Sequence, residues 1–203
     1  MNLRQIILDE RPSLIVEVGA GNGDNTRLLS HLMNQYSFEL HVISDKKVEG
    51  LDPRIKWTVG ISYAELSKYS NDSIGLCIID TDHNYWTLCK EIEAVKDKIT
   101  KNGFMAFHDV DEFYHNTGMA MSYWDGHAYH EKEIMECVKL GGVGDALLRF
   151  LVEYKTEYKL IHWTKEKFGA ALIQRHVVNQ TAIITPAGIP VFSRPYTPDG
   201  KPL

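Results

Sequence analysis

The sequence predicts a doubly wound α/β fold, a mostly parallel sheet with helices on both faces. Three observations predict it: short apolar runs recur along the chain, helix-like stretches separate them, and the first run ends in the glycine-rich turn EVGAGNGDNT. Runs that are apolar throughout suit parallel strands covered on both faces. Alternation of strand and helix then calls for right-handed crossovers.

The predicted strands, in order, are LIVEVG (14–19), LHVISD (40–45), IKWTVG (55–60), GLCIID (75–80) and FMAFHDV (104–110). Between the first two, NTRLLSHLMNQY places Leu28, Leu29, Leu32 and Met33 at helical spacing. Between the fourth and fifth, YWTLCKEIEAVKDKITKNG marks one helical face with Leu88, Ile92, Val95 and Ile99, and Gly103 is the natural stop. After FMAFHDV the rhythm breaks. Residues 111–130 carry Phe113, Tyr114, Tyr123, Trp124 and Tyr129 among histidines and glycines without a clear period. A helix follows in GDALLRFLVEY, with an apolar stripe of Leu147, Leu148, Leu151 and Val152. Two strand-like runs, YKLIHWT (158–164) and GAALIQR (169–175), are separated only by KEKF, which predicts an antiparallel hairpin at the sheet edge. Residues 176–203 form a C-terminal extension whose proline-rich end is expected to wrap the surface or fray.

A chain of 203 residues fits one domain, 1–203, able to bury roughly 70% of its unfolded surface. With 44% hydrophobic and 24% charged residues the composition is that of a globular protein. A formal charge of -5 argues against nucleic-acid binding through phosphates. No apolar run approaches the length of a membrane span, and the opening MNLRQIILDERPS turns charged too early for a signal peptide, so a soluble, cytoplasmic protein is expected. The three cysteines, Cys77, Cys89 and Cys137, show no CxxC spacing and suggest neither a disulfide framework nor a cysteine zinc site.

The turn after the first strand holds Gly19, Gly21 and Gly23, which let the backbone pass close to a ligand and start the next helix there. The pattern is GxGxG, and Asp24 stands where the dinucleotide fingerprint needs its third glycine. An acid there, with Glu17 just before the turn, opposes pyrophosphate and suits a cationic ligand. Asp45, closing the second strand, is placed to accept hydrogen bonds from ribose hydroxyls. The alternative reading is a tight strand-to-helix connection followed by a solvated loop acid.

With these features the chain resembles the class I S-adenosylmethionine-dependent methyltransferases, from EVGAGNGDNT through the final hairpin. The resemblance implies a seven-stranded sheet of order 3-2-1-4-5-7-6 with strand 7 antiparallel. It implies Glu17, Gly19 and Gly21 around the methionine moiety, Asp45 at the ribose, and Ile61 and Ser62 near the adenine. Ala20, Asn25 and Asp80 complete the implied cofactor set.

IIDTDHNY (78–85) and FMAFHDV (104–110) each end an apolar run in carboxylate and imidazole. In an open α/β sheet both ends face the crevice that the glycine turn borders. Crowded carboxylates need a compensating cation, and a divalent metal is the simplest. The combination IDTDHNYWTLCKEIE, KNGFMAFHDV and GGVGDALLRFL is similar to the methyltransferase 24 group, related to macrocin-type and catechol-type O-methyltransferases. Thr81 replaces the glycine usual there. The resemblance implies that Asp80, His108 and Asp109 hold the metal, and that Asp82 takes a proton from the acceptor, with His83 as deputy. Relatives often carry a carboxylate at the position of His108; a histidine makes magnesium less secure and manganese or iron more plausible. It also makes residues 111–130 an acceptor-side insert.

The alternative for each residue is structural: Asp82 as N-cap, His83 as a capping side chain, His108 as a core histidine. His115, His127 and His130 fit no familiar ligand spacing. The function expected is methyl transfer from S-adenosylmethionine to a small-molecule acceptor, on oxygen and with metal assistance. The rivals are a cofactor- or nucleotide-binding module without turnover and a metal-dependent hydrolase. Acceptor identity and oligomeric state stay open, a homodimer among the options.

Overall fold

The computed structural model describes residues 3–81, 83, 85–110, 142–165, 169–176, 182–184 and 190–192. The elements are α1 (Leu3–Glu10), β1 (Leu14–Val18), α2 (Asp24–Tyr36), β2 (Glu39–Ser44), β3 (Lys56–Val59), α3 (Ser62–Leu66), β4 (Ile74–Ile79) and α4 (Tyr85–Val95). A 3-10 turn over Lys96–Lys98 leads into β5 (Ile99–His108). Then come α5 (Val143–Glu153), β6 (Tyr158–Thr164), β7 (Ala170–Arg175), β8 (Ala182–Ile184) and β9 (Pro190–Phe192).

Seven strands form one sheet of order β3-β2-β1-β4-β5-β7-β6. The five expected strands pair in parallel, and β7 runs antiparallel to both β5 and β6. The hairpin is therefore the sheet's outer pair, with β6 at the edge. The sheet is the seven-stranded type that the resemblance implied.

Successive side chains of the inner strands bury on opposite faces, as a pleat covered on both sides requires. Ile15, Leu76, Ile78, Ala106 and Leu172 pack with Ile7 of α1 and Leu29, Leu32 and Met33 of α2. Val16, Cys77, Ile79, Met105, Phe107 and Ile173 pack with Leu88 and Ile92 of α4 and Leu147 and Phe150 of α5. Period two puts Glu17 on the face of Ile15, towards α2.

Three sequence expectations change. The helix after β4 ends at Val95, and Ile99 pairs with Ile74 in the sheet instead of closing a helical face. Spacings of three and four do not reveal where a helix hands over to a strand, because a β-branched residue at Ile99 serves either. Gly103 is a breaker, as expected, but inside β5. There the ladder shifts register between Ile74 and Leu76, and Asn102 has φ of 65°. On α5 the buried face is Val143, Ala146, Leu147 and Phe150, while Leu148 and Val152 point outward. An apolar run that covers most of a helix does not show which side is inside. In the C-terminal extension, β8 and β9 pair antiparallel as a separate two-stranded sheet. The insert 111–130 lies outside the described residues. Among those described, no helix is long and apolar enough to cross a membrane.

Leu147 is 0% exposed and Val152 is 73% exposed. Leu147→Ala is expected to cost about 2 to 5 kcal/mol, and Val152→Ala less than about 0.5 kcal/mol, as read from urea denaturation midpoints. Equal effects would mean that α5 packs through its other side.

Candidate functional site

The glycine turn leaves β1 at the carboxyl edge of the sheet. Gly19 has φ of 86°, and a Cβ there would overlap the carbonyl oxygen of Asp80, so the close passage of the two strand ends admits only glycine. Backbone bonds brace the crossing: Gly19 N–H donates to Ile43 O at 2.8 Å and Asp80 N–H to Val18 O at 2.9 Å. Gly21, with φ of 52°, has open space before it. Ala20 N–H donates to Ser44 Oγ at 3.3 Å, and that hydroxyl donates to Asp45 Oδ1 at 3.0 Å, linking the turn to the acid after β2. Ile61 is the N-cap of α3 and Ser62 its first residue. Gly60 N–H donates to Ser44 O at 3.1 Å, which holds that start beside the end of β2.

Glu17 is 0% exposed, and neither carboxylate oxygen has a hydrogen-bond partner among the described residues. Burial raises its pKa to about 7; the nearby Thr26 hydroxyl opposes the shift and the charge of Asp80 adds to it. Asp24, the other acid of the turn, is exposed and pairs with Arg27 at 3.1 Å. The buried acid beside the turn is thus Glu17. Asn25, one residue further into α2, reaches Asp80 Oδ2 at 3.5 Å and joins the turn to the second group of residues.

That second group is a compact cluster at the ends of β4 and β5. His83 Nε2 lies 3.2 Å from Asp80 Oδ1 and 2.8 Å from Asp109 Oδ2. His108 Nδ1 lies 3.1 Å from Asp109 Oδ1 and 3.5 Å from Asp80 Oδ1. His83 and Asp109 have φ of 55° and 56°, left-handed values that non-glycine residues seldom adopt. Asp109 N–H donates to Gly169 O at 3.0 Å, so the β6–β7 hairpin holds the end of β5.

Charge balance explains the titration of the cluster. Desolvation pushes Asp109 up, but hydrogen bonds with His108 and His83 prevail and lower it to about 2. Desolvation likewise opposes the lowering of Asp80, which follows from the same two imidazoles. Desolvation works against the His83 cation, yet Asp109 and Asp80 raise its pKa to about 9. Asp109 and Asp80 raise His108 to about 10 against a smaller desolvation. At neutral pH two imidazolium charges therefore face two carboxylates.

The sequence assigned Asp80, His108 and Asp109 to a metal. Donor atoms of Asp80, His83 and Asp109 all lie within 4.8 Å of one another, which makes His83 part of the tightest group, with His108 beside it. Asp82, the expected base, lies outside the described residues. Asp45, Ile61 and Ser62 stand across β1 from the cluster, at the ends of β2 and β3, as the strand order requires. Polar residues that escaped the sequence reading include Ser44, which links the turn to Asp45, Thr26, buried opposite Glu17, and Glu91, buried on α4, whose Oε2 accepts a 3.0 Å bond from Thr81 Oγ1. Glu91 had a signal, since it falls three residues after Leu88 and four before Val95, on the face that the apolar residues define.

Residues 16–110 match a protein-family profile described as a methyltransferase domain, that of the methyltransferase 24 group. This stretch, 95 of the 203 residues, is similar to that family. The matched residues run from β1 to just past the end of β5 and so include the glycine turn and the cluster. Solved structures share the fold at low identity. A candidate O-methyltransferase from Klebsiella pneumoniae aligns with a TM-score of 0.60 at 12% identity, over 86% of this chain and 78% of that one. The methyltransferase PaMTH1 of Podospora anserina, bound to S-adenosylhomocysteine, aligns with a TM-score of 0.58 at 15% identity, over 85% and 76%. MycE, a methyltransferase from the mycinamycin biosynthetic pathway with Mg and S-adenosylhomocysteine, aligns with a TM-score of 0.57 at 14% identity, over 90% of this chain and 50% of MycE. No curated protein matches the chain in sequence.

The raised pKa of Glu17 has a definite sign. The folded protein holds its proton from about pH 4.5 to about 7, so the carboxylate costs stability that is fully felt above about pH 7 and vanishes below about 4.5. Glu17→Gln should stabilise the ligand-free protein at pH 8, by up to roughly 3 kcal/mol. The gain should fade as the pH drops to 4.5, as followed by thermal unfolding across that range.

Proposed function

We propose that the chain transfers a methyl group from S-adenosylmethionine to the oxygen of a small-molecule acceptor, assisted by a divalent metal. The observation that carries the cofactor assignment is Glu17: a fully buried carboxylate, without a hydrogen-bond partner among the described residues, just before a glycine turn. An anionic pyrophosphate would be repelled there. A ligand with an ammonium and a sulfonium supplies the charge that this carboxylate lacks. On this reading Gly19, Ala20 and Gly21 line the path of the ligand, Asn25 and Asp80 bound its inner end, Asp45 takes the ribose hydroxyls, and Ile61 and Ser62 border the adenine. When bound, the cofactor supplies an electrophilic methyl on sulfur.

The distances within the cluster support a metal there. Ligands held octahedrally at about 2.1 Å stand about 3 Å apart, and His83 Nε2 lies 3.2 and 2.8 Å from the two carboxylates. Asp80, His108 and Asp109, with His83 in reach, would hold the ion, which would supply Lewis acidity to lower the pKa of an acceptor hydroxyl. A mixed oxygen and nitrogen donor set favours manganese or iron over magnesium. We assign Asp82 as the base for the acceptor proton. His83, its deputy, is held as a cation between two carboxylates while no metal is bound, and cannot accept a proton in that state. The chain is read as one methyltransferase domain, with 111–130 on the acceptor side and 176–203 as an extension.

The solved relatives support oxygen as acceptor and magnesium as a metal of MycE, and extend no further than themselves. The decisive measurement is calorimetry with S-adenosylhomocysteine. Wild type should bind it and Glu17→Ala should bind at least about tenfold more weakly; no binding by wild type removes the cofactor assignment. Asp109→Asn should keep that affinity and lose Mn²⁺ binding, seen by electron paramagnetic resonance. Asp82→Asn should keep both and lower turnover on a panel of hydroxylated acceptors about 10² to 10⁴-fold.

A further inference from the structure

We propose that Glu91, acting through the Thr81 hydroxyl, is the positioning residue that holds the loop after β4 in the geometry its cluster needs. What the cluster does is taken from the function proposed above; that its geometry depends on Glu91 is the new claim.

Glu91 is 0% exposed and sits among the core residues of α4, next to Ile92. A buried carboxylate costs several kcal/mol unless well paired, and an apolar side chain among Leu88, Ile92 and Val95 would avoid that cost. Packing alone therefore disfavours a glutamate here. One thing the carboxylate gains is the 3.0 Å bond from Thr81 Oγ1, a charge-assisted tie across the interface between loop and helix.

The position of Thr81 gives that tie its effect. One residue before it is Asp80, whose carboxylate meets His83, His108 and Asn25; two residues after it is His83, which bridges Asp80 and Asp109. The span is braced at both ends. Asp80 N–H is bound to Val18 O, and Tyr85 OH accepts a 2.8 Å bond from Arg149 Nη1 of α5. Between these braces the backbone turns through left-handed φ at His83, a conformation that persists only when its surroundings over-determine it. The Thr81 hydroxyl supplies a constraint from below, drawn into the interior, while Asp80 and His83 meet Asp109 at the strand ends. Without it, Asp80 and His83 would lose their fixed separation. Partners that orient metal-binding side chains commonly change metal affinity 10 to 100-fold.

The test compares Thr81→Val, which removes the hydroxyl at nearly constant shape, with Thr81→Ser, which keeps it. From the acceptor side, Glu91→Met removes the carboxylate and Glu91→Gln keeps a carbonyl acceptor. The first readout is the Cε1–H carbon–proton NMR signal of His83 in metal-free protein, identified by its loss in His83→Gln. Thr81→Val and Glu91→Met should displace or double this signal, and Thr81→Ser and Glu91→Gln should return it to its wild-type position. The second is Mn²⁺ affinity, expected to fall 10 to 100-fold in the first pair and by less than about threefold in the second. A His83 signal unmoved in Thr81→Val and Glu91→Met overturns the proposal, and so does an equal displacement in the rescue variants. If either disruptive variant does not fold, the other pair decides. Wild-type protein that binds no Mn²⁺ would remove the metal from the function proposed above and leave the NMR comparison to judge Glu91.

Discussion

Carboxylates gathered at one edge of a sheet have to be balanced, and the rest of the site follows from how this chain balances them. Asp80 and Asp109 are held against two imidazoles, His83 and His108, so that the cluster carries its own compensation. Glu17 has no such partner among the described residues and keeps its proton up to about pH 7. The two acids of the cluster can thus stay ionised without a ligand, whereas the acid beside the glycine turn is poised for a cation from outside. One edge therefore presents a balanced half and an unbalanced half, joined by the Asn25 contact to Asp80.

The fold creates this edge through ordinary packing. Apolar side chains on both faces fix β1, β4 and β5 side by side, and parallel pairing brings their carboxyl ends to the same level. The chain must then turn sharply at each end. It does so with left-handed backbone at Gly19, His83 and Asp109, of which only the first is glycine. Strained turns at His83 and Asp109 point their side chains at one another. Core packing of the kind seen at Phe107 and Leu147 supplies the stability that such turns and buried acids consume.

Much of the fold was legible because period and composition report burial directly. The five parallel strands and the hairpin appear in the sequence as apolar runs bounded by turn residues, and they form where those runs lie. The exceptions share a cause. At Ile99 the helical spacing continues into a strand, and on α5 the apolar run is broader than the buried face, so Leu148 and Val152 are outside. Periodicity says that a residue is apolar. It cannot say which neighbour arrives to cover it.

At the site, the inventory is legible in the linear chain: a glycine turn preceded by Glu17, Asp45 after the second strand, and acid and imidazole at the ends of the fourth and fifth. These could be read because strand ends in an open sheet face one crevice whatever their side chains. The pairings came with folding. It placed His83 between two carboxylates, set His108 beside them, turned Asp24 to the surface, buried Glu17 away from any hydrogen-bond partner among the described residues, and brought Thr81 to Glu91. Each of these depends on a distance between residues that a linear chain leaves free, and on the loss of water around them. The strength of a charge interaction depends on burial and on a few ångströms of separation, and neither quantity exists until the sheet and its helices have closed around the site.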